Sequence, residues 1–166
     1  MRKQIYNTLI AQLKRAVYDA NGRFRILTEA ELESAQQAEE SGGEKVNYVF
    51  KHFDLWNHNV EFIEQEIAWD TPAIFFDFQD LKYDTGQGIR RANFVVHLHV
   101  VSSVEFRYDG QDEANSRFDL LDLPYKLLHF YNGNGLSGVA QLGSQTNNDH
   151  EELVESIESF GGFAVG

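Results

Sequence analysis

The sequence predicts an α+β fold in which an antiparallel or mixed four-stranded sheet carries helices packed on one face. The central stretch, residues 71–101, has two runs of alternating apolar residues around a glycine-bearing turn, which is typical of a β-hairpin. Amphipathic segments at residues 2–20 and from residue 112 onward indicate helices on either side of it. The predicted order is helix, insertion, helix, strand, strand, helix, strand, strand, and this segregation favours an antiparallel sheet.

Length and composition favour one domain, residues 1–166, with a core of its own, because 42% of the 166 residues are hydrophobic. No apolar run is long enough to cross a membrane, and no stretch has the form of a signal peptide. The lack of cysteine excludes disulfides and thiolate chemistry. A net charge of −12 argues against binding nucleic acid through its phosphates. The ordinary interpretation is that the acidic residues form a solubilising surface.

The first predicted helix covers residues 2–20, where an apolar stripe recurs every four residues: Ile5, Leu9, Leu13 and Val17. Asn21-Gly22 would end it, since these residues favour the left-handed conformation that terminates helices. A helix laid on a sheet is the ordinary interpretation, and a partner-binding helix is the alternative.

Residues 23–50 form an elaborated insertion whose middle can be mobile. Thr28 and Glu31 have the spacing of a capping box, which predicts a short helix over residues 29–40. A Ser-Gly-Gly connector follows, and then alternating apolar residues indicate a short strand or extended arm: Val46, Tyr48 and Phe50.

A second helix is predicted from Asp54, as its N-cap, to about Glu66. Trp56, Val60 and Ile63 would form its apolar side.

The hairpin of residues 71–101 should have two apolar faces. Ile74, Phe76 and Phe78 alternate toward one face, which leaves Phe75 on the other beside Val95 and Val101. Burying a large apolar side chain stabilises by about 1.5–3 kcal/mol, so an outward face left wet would forgo much free energy. We therefore expect either the insertion or a second subunit to cover that face.

A third helix is predicted from Asp112, with one apolar stripe: Phe118, Leu121, Tyr125 and Leu128. Pro124 should kink or divide it after Leu123. A short strand over residues 139–142 and a polar loop follow. The last stretch, from residue 151, fits a helix by periodicity and a strand by position; we favour a closing edge strand broken at Gly161-Gly162.

Few residues suggest chemistry. His97 and His99 would project from one strand face, a geometry seen in metal sites, but no third ligand lies at a diagnostic spacing, so we predict no metal. Gly86 and Gly88 are explained by the turn rather than by phosphate binding. No nucleophile elbow occurs, and no pair of carboxylates is singled out, so we predict no enzyme and no cofactor.

Three stretches resemble the phage tail terminator and tail-completion proteins, most closely versions encoded by prophages of Bacteroidetes-type bacteria: DLWNHNVEFIEQE, TPAIFFDF and FVVHLHVV. The resemblance covers most of residues 1–20 and 52–160. It implies a structural subunit of a ring, commonly hexameric, that caps the tail tube and meets head or neck proteins, first in the host cytoplasm and then in the virion. The acidic charge would suit a ring whose lumen passes DNA without gripping it, and no sequence-specific binding is expected.

The predicted contacts to other subunits or partners lie on the hairpin and its outward face: Phe75, Asp77, Gly86, Gly88, Arg90, Arg91, Val95, His97 and His99. Two other hypotheses stay open. The 13 Phe and 7 Tyr residues could line the pocket of a small-ligand-binding α+β domain or enzyme. The histidine pair could instead serve a metal-dependent protein.

Overall fold

The computed structural model describes residues 1–57, 69–84, 86–147 and 152–166. Over these ranges the fold is α+β. The elements follow in the order α1 (Arg2–Leu13), β1 (Ala16–Tyr18), β2 (Phe24–Ile26), α2 (Glu29–Glu40), β3 (His52–Leu55), β4 (Ala73–Asp84), β5 (Arg91–Ser103), α3 (Glu113–Leu128), β6 (Leu136–Asn147) and β7 (Leu153–Val165).

The main sheet is mixed and has five strands rather than the predicted four, in the order β3-β4-β5-β7-β6. Strand β3 runs parallel to β4, and the other neighbours are antiparallel. A separate two-stranded sheet joins β1 and β2. The additional strand is the edge strand β3, which follows the insertion and overlaps the start of the helix predicted from Asp54.

The main core lies between one face of the large sheet and helices α1 and α3. Side chains from both helices and from four strands of the sheet meet there in a single buried cluster, which includes Ile5, Leu9, Phe76, Leu98, Leu120, Val139 and Phe160. We call the opposite side of the sheet the outer face. The tip end is where Asp84 pairs with Arg91, and the base end is where Ala73 pairs with Val101.

The first helix is shorter than predicted. It ends at Leu13, and the chain then turns into the β1–β2 hairpin, in which Gly22 has φ of 75°. Val17 continues the helical spacing but packs against Leu27 and Leu32 in a satellite cluster. Pairing with β2 and burial in this cluster therefore override the helical period.

Helix α2 confirms the predicted helix at residues 29–40. Thr28 Oγ1 accepts from the Glu31 amide, and the Glu31 carboxylate accepts from the Thr28 amide at 3.2 Å. The extended arm that follows makes one bridge, between Tyr48 and Val17.

The helix predicted to start at Asp54 is wrong at its beginning, because His52–Leu55 is a strand. It gains four parallel pairings to β4, from His52 with Ala73 to Leu55 with Phe76. The rest of that predicted helix lies mostly outside the described residues.

The central hairpin is confirmed and is longer than the apolar runs alone indicated. β4 and β5 pair from Ala73–Val101 to Asp84–Arg91, with a bulge between Phe78 and Asp80. The predicted faces are confirmed as well: Ile74 and Phe76 lie in the main core, and Phe75 and Val101 lie on the outer face.

Helix α3 begins at the predicted cap, Asp112, and Pro124 does not divide it. The predicted apolar stripe is half right: Leu121 and Leu128 contribute to the core, but Phe118 and Tyr125 are exposed. The buried stripe is aliphatic: Leu120, Leu123, Leu127 and Leu128, together with Ser116 and Pro124.

The C-terminal stretch is a strand, as favoured, but it is central rather than at an edge. β7 pairs with both β5 and β6 and runs unbroken through Gly161 and Gly162. A Cβ on Gly162 would lie 3.1 Å from the Phe94 ring, so glycine lets that ring pack against the strand. The polar loop predicted after residue 142 is strand as far as Asn147. No helix in these ranges is long and apolar enough to span a membrane.

Candidate functional site

The base end of the outer face holds a buried histidine–carboxylate pair. His99 on β5 and Glu155 on β7 are 5% and 3% exposed. His99 Nδ1 lies 3.0 Å from Glu155 Oε1 and forms a hydrogen bond with it. Buried polar groups require such partners, because burial without them is costly.

Trp56 covers the His99 ring of this pair. Its ring is parallel to the His99 ring, with 3.8 Å between centroids and 8° between planes. Phe75 lies beside it in edge contact with both Trp56 and Trp69. The apolar outward face is thus covered at its base end by tryptophans that flank β3 and β4, and not by the predicted insertion at residues 23–50.

The second ring nitrogen of His99 faces Asp77. Nε2 lies 3.8 Å from Asp77 Oδ2, beyond hydrogen-bond distance, and has no hydrogen-bond partner among the described residues. Gln79 Nε2 donates to the same carboxylate oxygen. The His99 imidazole therefore lies between two carboxylates, and only that of Glu155 is hydrogen-bonded to it.

His97 is half-buried on the same face, opposite Asp77 in the register. Burial lowers its pKa below the ordinary value, Asp77 partly opposes this shift, and His99 adds to it. The two histidines share a face as predicted. The described ranges contain no group of three or more His, Cys, Asp or Glu side chains placed to hold a metal ion.

The hairpin tip carries the predicted glycines and arginines in exposed positions. Gly86 and Gly88 lie in a single 3-10 turn, in which Gly88 has φ of 74°. The Arg90 guanidinium lies over the Tyr83 ring, 4.4 Å from its centroid. Both residues line a cavity of about 380 Å³ together with the half-exposed Ile89.

The tip half of the outer face exposes apolar side chains that the sequence did not single out. Leu142, Phe163 and Val165 are 60%, 56% and 44% exposed, and Val95 lies half-buried near them. A Cβ on Gly161 would approach Leu142 to 2.9 Å, and the Phe163 ring lies over Gly138. Leu142 and Phe163 thus pack over glycines and stay exposed on their outer sides. We call the surface formed by Leu142, Phe163 and Val165 the tip patch.

A second cavity opens at the edge of the sheet, where β3 ends and β4 continues. Its volume is about 480 Å³. We call it the edge cavity; it has an apolar lining of Tyr6, Leu55, Trp56, Phe76 and Phe78 and four charged residues, Arg2, Lys3, Asp54 and Asp77. Burial and Asp54 raise the pKa of the Tyr6 hydroxyl, which keeps it neutral.

The predicted contact residues therefore fall into two groups. Phe75 and His99 are buried within the chain, so their side chains are not free to meet a partner. Asp77, Val95 and His97 are half-buried, and the rest are exposed at the tip: Gly86, Gly88, Arg90 and Arg91. Sequence reasoning missed Glu155, Phe163 and Val165, because the stretch that forms β7 had no clear period and was given an edge position.

A scan against models of protein families found no match to this chain, and a search of curated proteins also found none.

Proposed function

We propose that this chain is the subunit of a phage tail terminator or tail-completion ring, with the tip end of its sheet as a contact surface for the tail tube or neck proteins. The observation that carries the proposal is the tip patch with the neighbouring hairpin turn. Three strand residues expose apolar side chains on one face there, and Tyr83 and Ile89 add exposed apolar surface on the hairpin. Contiguous apolar surface of this kind is typical of interaction sites.

The rest of the outer face also supports a structural role. Its base end is already covered, because Trp56 stacks on His99 and packs against the apolar cluster there. The exposed apolar groups lie instead at the tip end, on long, regular strands. The sequence resemblance to tail terminators and the acidic charge are further support.

Assembly on tail tubes tests this proposal. Purified protein should form a closed ring of uniform subunit number, free or on tubes, in native mass spectrometry and electron microscopy. Phe163→Ser should weaken tube binding at least tenfold while leaving the fold intact, because the side chain is mostly exposed. Phe118→Ala, which removes an equally exposed aromatic residue from α3, is the matched control. A wild-type chain that stays monomeric and ignores tubes would contradict the proposal.

The edge cavity favours a second candidate function, a small-ligand-binding domain. About 480 Å³ lies within the range of ligand pockets, and aromatic walls with a few charged groups are usual there. A thermal-shift screen against small aromatic acids and amines tests it: a true ligand raises Tm in the wild type and loses its effect in Leu55→Glu.

A further inference from the structure

Phe130 is the most exposed large hydrophobic side chain in the described ranges, at 75%. It follows α3 directly and has φ of 64°, a left-handed conformation that bulky residues rarely adopt. Its amide donates to Val139 O at 2.7 Å, and its carbonyl accepts from Asn132 Nδ2 at 2.9 Å. Two hydrogen bonds thus hold a strained backbone in the conformation that leaves this ring in solvent.

The position of Phe130 matters for assembly. Its amide bonds to β6, so it flanks the β6 edge of the sheet. The edge cavity lies at the other edge, beside β3 and β4. The molecule therefore has an exposed aromatic side chain at one edge and an aromatic-walled cavity at the opposite edge.

The cavity also has the anatomy of a binding hot spot. Apolar side chains line it, and the charged groups of Arg2, Lys3, Asp54 and Asp77 can form a polar rim. The half-exposed His129 and the exposed Asn132 flank Phe130 and can meet that rim. An aromatic side chain from another chain would bury apolar surface on both partners.

We infer that Phe130 of one copy inserts into the edge cavity of the next copy, and that this contact builds the ring. A knob and a hole on different surfaces make a heterologous contact, which yields a ring when the rotation closes. The inference deepens the proposed function and rests on it. It makes a second copy of this chain, rather than a small ligand, the occupant of the cavity.

The first test removes the knob. Phe130→Asn removes the phenyl group but keeps a residue that tolerates the left-handed conformation. We expect the ring population in native mass spectrometry to fall at least tenfold at equal protein concentration. Phe118→Ala, which removes another exposed phenylalanine, should assemble like the wild type.

The second test uses the direction of the contact. Leu55→Glu places a charge at the half-exposed rim of the cavity and should also prevent assembly. Mixing it with Phe130→Asn should give heterodimers and no larger species. Leu55→Glu still has Phe130 but a blocked cavity, and Phe130→Asn has an open cavity but no Phe130, so each pair can make only one contact. Ile26→Glu, a charge on a half-exposed strand position away from the cavity, is the control for the substitution. Circular dichroism confirms that each variant is folded.

The outcomes separate the two proposals. If the wild type and Phe130→Asn form the same ring, the inference is overturned and the ring proposal stands. If single variants are monomeric but their mixture gives no heterodimer, the knob-and-hole contact is also overturned. If the wild type never assembles, even on tail tubes, both proposals are contradicted.

Discussion

His99 and Glu155 show how one pair of side chains constrains a whole sheet face. The alternation in β5 was enough to place His99 on the outer face, because side-chain direction in a strand follows from position. Its partner could not be predicted, since Glu155 lies 56 residues further along the chain in a stretch of ambiguous period. Burial of both groups depends on the pairing of β5 with β7, which is a tertiary property.

A double-mutant cycle tests the energetic role of this pair. Glu155→Leu should lower the free energy of unfolding by about 1–3 kcal/mol, as expected when a buried polar group, here the His99 ring, loses its hydrogen-bond partner. His99→Leu with Glu155→Leu should cost less than Glu155→Leu alone, because no buried polar group is left without a partner. Urea unfolding at pH 7 measures both, and Glu152→Leu at a neighbouring exposed position is the control. Additive losses would refute the coupling.

Among the elements, those with a local signal were predicted and those decided by packing were not. Thr28 and Glu31 fixed the start of α2 through contacts within one turn. In α3 the sequence offers an aromatic stripe and an aliphatic stripe, and only the packing against α1 and the sheet decides that Leu120 is buried and Phe118 exposed. Strand β3 gains its conformation from β4, so its four residues carry little signal of their own.

The turn before β6 offers a test at the same scale. Gly135 has φ of 79°, and a Cβ there would clash with Gln4 and approach Val165 O to 2.6 Å. Gly135→Ala should therefore destabilise by about 2 kcal/mol or more, since strain and overlap add. Gly22→Ala isolates the backbone contribution, because Gly22 has φ of 75° and open space around it. Equal decreases in Tm for Gly135→Ala and Gly22→Ala would show that the close approach to Val165 is unimportant.

For the molecule as a whole, the sequence predicted the α+β class but not the number or order of strands. The order β3-β4-β5-β7-β6 depends on where distant segments add to the hairpin, and no local pattern encodes it. The two features that the ring proposals use follow from that order. The edge cavity lies where the short strand β3 ends and β4 continues. Phe130 lies at the opposite side of the sheet, because its amide bonds to the edge strand β6.

Net charge predicts how assembly should respond to salt. Each copy carries −12, so neighbours in a ring repel one another. The screening length falls from about 10 Å at 0.1 M salt to about 3 Å at 1 M salt, while an apolar contact is not weakened. The protein concentration needed for half-assembly should thus fall several-fold over this range, measured by light scattering. Phe130→Asn should show no such response. Assembly that weakens with salt would indicate contacts dominated by charge pairs.

A hydrogen-bonded link joins α1 to residues that are distant in sequence, in the turn before β6 and in β7. Gln4 Nε2 donates to Asn134 O at 3.0 Å and to Val165 O at 2.9 Å, across a sequence separation of 161 residues in the second case. Such a link can form only after β7 has been synthesised, so α1 cannot take its final place before then. Until β7 arrives, the apolar side of α1 stays uncovered in part, and that is the period in which a nascent chain of this kind would most need a chaperone.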